Sequence, residues 1–338
     1  MHVIAYREPK PVTADDALID LDLPRPTPAG RDLLVEVKAV SVNPVDVKLR
    51  ANVKPGADTP RVLGWDAAGV VVSTGPQATL FKPGDAVYYA GALDRPGTNA
   101  QYHAVDERIV GPMPRTLDYA QAAAMPLTTI TAWEALFDRL DVQRLVPGAA
   151  RAMVIIGAAG GVGSMAVQLA RALTDLTVIA TASRPESAQW VRQLGAHHVI
   201  DHAQPLAAQV LALGIGQPAF VFSTTHTAEH MPGIAELIAP QGRLVLIDDP
   251  KVLDVMPLKR KSVSLHWEFM FTRSLLATAD IEQQHWLLEK VARLVDEGQI
   301  RTTLRETLRP LQASTLKQAH AMVEGNRMIG KVVVADWA

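Results

Sequence analysis

A glycine-rich turn joins an apolar run to a helical segment near the middle of the chain, where residues 151–171 read RAMVIIGAAGGVGSMAVQLAR. Met153–Ile156 predicts a buried strand, and Met165–Arg171 predicts the helix that follows. A strand that turns on glycines into a helix forms an anion site, because the backbone can approach a pyrophosphate and the helix N-terminus directs unpaired N–H groups and a positive dipole end at it. A second strand begins near Thr177, as a βαβ nucleotide-binding unit requires.

The spacing within this turn is that of the dinucleotide-binding fingerprint, with its first glycine replaced by Ala158. The alternative is a turn with a purely structural role, but the strand before it and the helix after it favour nucleotide binding. The candidate dinucleotide contacts are Ala158, Gly160, Gly161, Val162 and Gly163.

Composition narrows the class of protein. With 338 residues the chain is long enough for two domains, and its net charge of −2 does not indicate a nucleic-acid or membrane surface as partner. Cysteine is absent, which excludes disulfides, thiolate catalysis and every cysteine-ligated metal site. The N-terminus MHVIAYREPKP does not resemble a signal peptide, and no stretch has the roughly 20 apolar residues of a membrane span. We therefore expect a cytoplasmic protein.

The pattern of apolar and polar residues changes near residue 118. Before it, short alternating or β-branched runs separated by turns predict a β-rich module, with strands at Leu33–Val42, Gly69–Ser73 and Ala86–Ala90. Asp118 is a candidate N-cap, and Thr128–Leu140 predicts a helix.

From about residue 150 to 300, apolar runs alternate with amphipathic segments, which predicts a doubly wound parallel sheet. Further strands are predicted at Thr177–Ala182, Val199–Ile200, Ala219–Phe222 and Arg243–Ile247, and further helices at Glu186–Leu194, Pro205–Leu213, Met231–Ile238, His285–Asp296 and Thr315–Glu324. The last strand, Gly330–Ala335, would return to the sheet of the first module and make that domain discontinuous.

The end of the second predicted strand distinguishes NAD from NADP. A carboxylate there would accept bonds from the ribose hydroxyls of NAD and repel the extra phosphate of NADP. This chain has Ser183 and Arg184 instead, with no carboxylate before Glu186. A hydroxyl and a guanidinium suit a phosphate, so we expect NADPH. The alternative is that Arg184 is an ordinary solvated loop residue and that the protein does not discriminate.

Segments spread over nearly the whole chain resemble the medium-chain dehydrogenase/reductase superfamily, on its quinone oxidoreductase side and in the zinc-type alcohol dehydrogenase-like group. These segments are NPVDVKLR (43–50), GWDAAGVV (64–71), FKPGDAVYYAG (81–91), PLTTITAWEAL (126–136), GAAGGVGS (157–164), LGAHHVIDH (194–202) and GKVVV (330–334). The resemblance implies an α/β chain with a GroES-like β-rich catalytic domain, 1–122 and 308–338, and a Rossmann domain, 123–307. It also implies an active site in the cleft and a homodimer paired through the edge strand of the Rossmann sheet.

The chain departs from the zinc-dependent members of that superfamily. Those members have a cysteine where this chain has Asn43 or Pro44, and a Gly-His-Glu motif where this chain has Gly64-Trp65-Asp66. The adjacent histidines 197 and 198 are far in sequence from any other ligand type, so they are better interpreted as structural. We expect neither a catalytic nor a structural zinc.

Without a Lewis acid, reduction of a quinone or of an activated C=C bond demands less than oxidation of a simple alcohol. Charge then develops on a carbonyl oxygen, which needs a donor. The candidate catalytic residues are Asn43, whose position lies near the nicotinamide in the family, and Lys48. Lys48 could equally be a solvated surface residue, and Asp46 is better interpreted as structural than as a base.

The resemblance also places Thr131 beside the nicotinamide. Strand ends in such sheets are where ligands bind, which adds four candidate neighbours of the ribose and carboxamide. These are Ser223, Thr224, Ile247 and Asp248, with Lys331 as a weaker candidate for the cofactor phosphates. The aromatic segment HWEFMF, 266–271, is either a wall over an apolar substrate, opposite Trp65 and Tyr88 or Tyr89, or part of the core or of a subunit contact.

These residues favour an NADPH-dependent, zinc-independent reductase acting on a small apolar carbonyl or quinone. Two alternatives remain open. One is a zinc-independent alcohol or aldehyde dehydrogenase, and the other is a non-catalytic NADPH-binding sensor. The turn alone does not separate an enzyme from a sensor, since both bind the cofactor.

Overall fold

A computed structural model describes residues 1–56 and 59–338. Strands dominate the first part of the chain and alternate with helices after residue 150. The strands are β1 (His2–Tyr6), β2 (Ile19–Asp22), β3 (Asp32–Ser41), β4 (Arg61–Val62), β5 (Ala67–Thr74), β6 (Ala86–Tyr89), β7 (Tyr102–Asp106), β8 (Val110–Pro112), β9 (Ala150–Ile156), β10 (Thr177–Thr181), β11 (His198–Ile200), β12 (Pro218–Ser223), β13 (Arg243–Leu246), β14 (Ser264–Trp267), β15 (Leu304–Leu308) and β16 (Lys331–Ala335). The helices are α1 (Pro44–Asn52), α2 (Tyr119–Ala123), α3 (Pro126–Trp133), α4 (Gly161–Leu173), α5 (Pro185–Gln193), α6 (Leu206–Ala212), α7 (Thr227–Leu237), α8 (Thr272–Leu275), α9 (Gln283–Asp296) and α10 (Ala313–Glu324).

The chain forms two compact units. Unit 1 comprises residues 1–130 and 271–338, and unit 2 comprises residues 131–270. Residues 271–307, which the sequence assigned to the Rossmann domain, pack with unit 1. The assignment of the two functional domains to these units stays a prediction.

The larger sheet of unit 1 is built around the long strand β3. Its order is β15-β16-β3-β5-β6-β8, with β7 also paired to β3. The closing strand β16 runs antiparallel to β3, with Val334 opposite Val40. The last strand of the chain therefore completes the sheet of the first module, as its sequence predicts.

Helix α9 covers one end of this sheet because its apolar face meets β8. The Tyr88 hydroxyl donates to the Leu288 carbonyl oxygen at 2.7 Å, and a Cβ at Gly111 would lie only 2.4 Å from the Leu288 Cβ. This close approach explains why the residues of α9 pack in unit 1.

The sheet of unit 2 is parallel throughout, in the order β11-β10-β9-β12-β13-β14. Every residue of β12 and β13 is buried, as expected for strands covered on both faces by helices. The order reverses between β9 and β12, which is where open α/β sheets bind their ligands. The predicted doubly wound sheet is confirmed, and β14 is an edge strand that the sequence analysis did not identify.

One predicted helix changes its winding. Thr128–Leu140 is helical, but the α-helix α3 ends at Trp133 and Glu134–Arg139 continue as a π-helix. A single π turn carries an extra residue and rotates the side chains that follow, and such turns are frequent at functional sites. Periodicity of apolar residues does not distinguish the two windings at this length.

Candidate functional site

The glycine turn of unit 2 allows only a bare backbone at two positions. Gly157 has a φ of +76°, and a Cβ there would lie 2.3 Å from the Thr224 hydroxyl oxygen. A Cβ at Gly163 would lie 2.5 Å from the Ala158 Cα, so strand and helix could not approach as closely. These glycines are required by the turn itself.

Gly160 differs from those two, because the atom nearest to its hypothetical Cβ is the Gly157 carbonyl oxygen at 3.5 Å. Gly160 is the N-cap residue of α4, which begins at Gly161, four residues earlier than predicted. A glycine has no side chain with which to cap the first turn, so the N–H groups there are left for an anion. The turn thus has the cradle that a pyrophosphate needs.

The end of β10 presents the residues expected at the adenosine ribose. Ser183 is exposed and Arg184 is half-buried. The Arg184 backbone N–H donates to the Ser187 hydroxyl at 3.2 Å, which fixes the start of α5. Because β10 lies beside β9, these residues and the glycine turn are at the same edge of the sheet.

The polar residues after β12 and β13 bind one another in the structure. The Ser223 hydroxyl lies 2.7 Å from the Thr227 hydroxyl, and the Thr224 hydroxyl donates to the Ile156 carbonyl oxygen at 2.8 Å. The Asp248 carboxylate accepts from the Thr227 N–H at 2.9 Å and so caps α7. The Ile247 N–H donates to the Ser223 carbonyl oxygen. These hydrogen bonds fix the backbone at this edge of the sheet. Their predicted contacts with ribose or carboxamide stay predictions, as does that of Thr131, which is 5% exposed on α3.

Unit 1 contains a closed cluster of charged and polar side chains, which we call the Lys331 cluster: Asn43, Asp46, Asp66 and Lys331, each at most 4% exposed. The Lys331 ammonium lies 3.2 Å from Asp66 Oδ2 and also donates to the Asn43 carboxamide oxygen. The Asn43 amide donates to Asp66 Oδ2 at 2.8 Å. The remaining oxygen of Asp66 accepts from the Leu127 N–H at 2.8 Å.

Asp46 completes the Lys331 cluster from α1. One of its oxygens accepts from the Asn43 N–H at 2.8 Å, in a capping box at the start of the helix. Burial raises the pKa of Asp46 to about 7, although the Asn43 N–H and the Lys331 ammonium oppose that shift. Burial also raises the pKa of Asp66.

The structure places the two candidate catalytic residues in different environments. The Asn43 carboxamide is 1% exposed, and its hydrogens point at Asp66 and at the Ser41 carbonyl oxygen. Lys48 is exposed on α1. Lys331, a candidate for the cofactor phosphates, has its ammonium group inside the Lys331 cluster. Of these three side chains, Lys48 alone is exposed to solvent.

The aromatic segment 266–271 divides between core and surface. Met270 and Phe271 are 3% exposed, whereas Trp267 and Phe269 are 55% and 49% exposed. Trp65 is fully buried and meets the Phe271 ring edge-on at 6.3 Å within unit 1. Both expected roles of the segment therefore stay open for its exposed half.

Comparison with known proteins identifies the family. Residues 29–115 match the alcohol dehydrogenase GroES-like domain, and residues 194–334 match the zinc-binding dehydrogenase domain. The chain is 37% identical over 336 residues to a zinc-type alcohol dehydrogenase-like protein of Staphylococcus aureus, covering 99% of each chain. The chain belongs to the zinc-type alcohol dehydrogenase-like proteins of the medium-chain dehydrogenase/reductase superfamily.

Two further relatives of this zinc-type alcohol dehydrogenase-like protein bear on its chemistry. A crystal structure from Rhizobium etli CFN 42, described as a candidate zinc-dependent alcohol dehydrogenase, has 62% identity and a TM-score of 0.99 and covers 100% of this chain and 98% of that one. The NADPH-dependent alkenal/one oxidoreductase of Arabidopsis thaliana is 37% identical over 180 residues, which are 51% of this chain and 45% of that protein. Quinone oxidoreductases are among the solved structures with the same fold. The protein is thus an oxidoreductase of this superfamily.

The residues present do not fit the zinc that the family name implies. Where zinc-dependent members have cysteine, this chain has Asn43 or Pro44, and where they have histidine it has Trp65; its Asp66 is paired with the Lys331 ammonium. An ammonium group beside the carboxylate repels a second cation. Across residues 1–56 and 59–338, no group of three or more histidine, aspartate or glutamate side chains is arranged to hold a metal ion.

Sequence reasoning missed one buried carboxyl pair in unit 2. The side chains of Glu134 and Glu268 are fully buried, and Arg139 Nε donates to Glu268 Oε2 at 2.9 Å. Burial and the neighbouring Glu134 carboxylate raise the pKa of Glu268 to about 9, so the Glu268 carboxyl group is protonated at neutral pH. Glu268 directly follows β14, the edge strand that the sequence analysis did not identify, so no local pattern marked this pair.

Proposed function

We propose that this protein is an NADPH-dependent, zinc-independent reductase that transfers hydride to an α,β-unsaturated carbonyl compound or a quinone. The observation that carries the proposal is the open first turn of α4 at Gly160, next to a β10 end that has Ser183 and Arg184 in place of a carboxylate. The alkenal/one oxidoreductase among its relatives supports the acceptor class.

The chemistry fits a protein that has no Lewis acid. Reduced nicotinamide, with its dinucleotide held at the first turn of α4 by Gly160, would supply the hydride that forms a C–H bond at the electrophilic carbon of the conjugated system. The π electrons move to the carbonyl oxygen, and a proton completes the reduced product. This chain must orient the acceptor and stabilise the charge on that oxygen.

Within unit 1 we assign Lys48 as the group that donates to this oxygen, because its ammonium group is on an exposed side chain of α1. Asn43, the other candidate, sets the start of the same helix through the capping box with Asp46. We assign Asn43 to positioning α1, since its amide hydrogens are directed at Asp66 and Ser41.

Turnover of NADPH with a panel of enones, quinones, aldehydes and alcohols tests the proposal. Consumption of NADPH with enones or quinones supports it. Turnover with simple alcohols alone would favour a zinc-independent dehydrogenase, and tight NADPH binding with no turnover on any acceptor would favour a sensor.

Cofactor choice has its own test in the Arg184→Asp variant, which places a carboxylate where the 2′-phosphate would bind. We expect this variant to lose affinity for NADPH relative to NADH. Arg192→Asp, an exposed position on α5, is the matched control. An unchanged preference in Arg184→Asp would remove the basis for assigning NADPH.

We also propose a homodimer. Its support is the edge position of β14 in the unit 2 sheet and the 55% exposure of Trp267 on that strand. Light scattering of the purified protein tests it, and a monomer at micromolar concentration would overturn it. A cytoplasmic location stays a prediction; in the part of the chain that the structure describes, no helix is long and apolar enough to span a membrane.

A further inference from the structure

Three histidines lie together at the carboxyl edge of the unit 2 sheet. His202 follows β11, His226 precedes α7, and His230 is one turn further along that helix. The rings of His202 and His230 meet edge-on with centroids 6.4 Å apart. No group in the described part of the chain hydrogen-bonds to the buried Nδ1 atom of His202. His226 Nδ1 lies 2.7 Å from the Thr225 hydroxyl.

This histidine cluster (His202, His226 and His230) lies beside the strand that carries the proposed phosphate contacts. Strands β10 and β11 are parallel neighbours, with Thr181 opposite Ile200. Arg184 is three residues beyond Thr181, and His202 is two residues beyond Ile200. Both side chains therefore emerge from adjacent strand ends, and the Arg184 charge acts on the His202 ring.

The charges around the cluster are mixed. Burial lowers the pKa of both His202 and His230, and the other imidazoles add to the effect. The acidic groups that act on these two rings in the opposite direction are Asp201, Glu229 and Asp248. The rings are therefore neutral at neutral pH and accept protons when a strong anion comes close.

We propose that the histidine cluster and Arg184 together form a proton-dependent subsite for a ribose 2′-phosphate, so that the preference for NADPH over NADH strengthens as the pH falls. This inference rests on the proposed function and extends it to a residue set that determines cofactor specificity. It concerns the phosphate monoester of the dinucleotide, and the reacting end of the cofactor has no part in it.

The direction of this pH effect follows from the linkage between phosphate binding and proton binding. A phosphate monoester carries nearly two negative charges above its second pKa of about 6, and its proximity raises the pKa of each neighbouring imidazole. Binding therefore takes up protons, and affinity for the 2′-phosphate rises by at most about tenfold per pH unit for each proton taken up. NADH and 5′-AMP lack that phosphate, so their affinities should not change with pH for this reason.

The histidine cluster does not form a metal site, because among the described residues no group of three ligating side chains is arranged to hold a metal ion. Half-buried imidazoles beside a guanidinium instead make a site whose charge is set by pH. The histidine cluster is therefore suited to an anion that NADPH carries and NADH lacks, namely the 2′-phosphate.

The test is equilibrium binding of 2′,5′-ADP and of 5′-AMP to the full-length protein at about pH 6.5 and about pH 8.5, with NADPH and NADH as a second pair. We expect the ratio of affinities, 2′-phosphorylated over unphosphorylated, to be roughly three- to tenfold larger at the lower pH. His202→Asn and His230→Gln should each reduce this pH dependence. His198→Asn, which removes an imidazole from the other end of β11, should leave it unchanged.

A ratio that does not change with pH in the wild-type protein would overturn the inference, and so would a pH dependence that survives in both His202→Asn and His230→Gln. These results leave the proposed function intact if NADPH still binds and reacts. Failure of both dinucleotides to bind at either pH would overturn the proposed function and this inference together. Thermal unfolding of each variant shows whether a loss of binding reflects a loss of folded protein.

Discussion

The glycine turn of unit 2 and the Lys331 cluster of unit 1 both concentrate charge, but they do so in opposite ways. The turn is made of backbone, and the first turn of α4 has N–H groups that no N-cap side chain occupies. The cluster is made of side chains, and its ammonium, carboxylates and amide bind one another below 5% exposure. An open set of donors is built to receive a ligand, whereas a closed set stabilises the fold around it.

The largest effect that we expect is a loss of stability when the Lys331 cluster loses its cation. Lys331→Met leaves the buried carboxylates without their cation, and we expect it to lower the free energy of unfolding by about 3–5 kcal/mol. Denaturant titration checks this, with Lys82→Met, an exposed lysine of unit 1, as the control. A variant as stable as the wild type would show that the cluster is not a structural unit. In that case Lys331 would be free to serve the cofactor phosphates.

The comparison also predicts that the reactive donor lies outside the cluster. Lys48→Met should lower kcat for an enone about 100-fold, at the lower end of what a positioned proton donor contributes. Its KM for NADPH and its unfolding midpoint should be unchanged, because the side chain is exposed. Steady-state kinetics measures this, with Lys54→Met as the control. Full activity in Lys48→Met would mean that solvent protonates the product.

The open character of the turn is tested by Gly160→Ala. The added methyl group has room in the protein itself, so the melting temperature should stay the same. It would occupy the space where a pyrophosphate approaches, and we expect the affinity for NADPH to fall at least about tenfold. Gly233→Ala is the control, because its Cβ would make only an ordinary contact, 3.8 Å from the Leu206 Cβ. Unchanged NADPH affinity in Gly160→Ala would contradict the assignment of the turn.

The pH dependence of stability, for which we expect a smaller effect, shows whether unit 2 also contains a closed cluster. The pKa of Glu268 is raised in the folded protein to about 9, so the folded state holds more protons than the unfolded state above the pKa of a free glutamate. Stability from this group is therefore complete at low pH and declines as the pH rises toward 9.

Glu268→Gln mimics the protonated carboxyl group and should remove this decline. The difference in unfolding free energy between the variant and the wild type should grow by about 1 kcal/mol over the one pH unit from pH 7 to pH 8. Urea titrations at both pH values measure it. Parallel pH profiles of the two proteins would rule out a protonated Glu268 in the folded state at neutral pH.

Much of the fold could be predicted from sequence because its signals are local. Alternating apolar residues predicted β3, and continuous apolar runs predicted β9, β10, β12 and β13. Asp118 was predicted as an N-cap residue, and the structure confirms that it caps α2. The glycine turn was identified because its function depends on spacing over a few residues.

The features that sequence reasoning missed depend on contacts between distant parts of the chain. Lys331 is 265 residues from Asp66, and Glu268 is 134 residues from Glu134, so no periodicity connects them. The N-terminus of α4 lies four residues earlier than predicted because glycines have low helix propensity, yet two of them begin this helix. Residues 271–307 pack with unit 1, where α9 contacts β8, and no local pattern indicated that contact.

We predict that the open glycine turn binds NADPH and that the protein's own side chains replace a metal ion in the reduction. Initial rates of NADPH consumption with an enone should be measured on protein dialysed against a chelator, with its metal content determined on the same sample. The account predicts full activity at sub-stoichiometric zinc. Activity that disappears with the metal and returns on addition of one equivalent of zinc would contradict it.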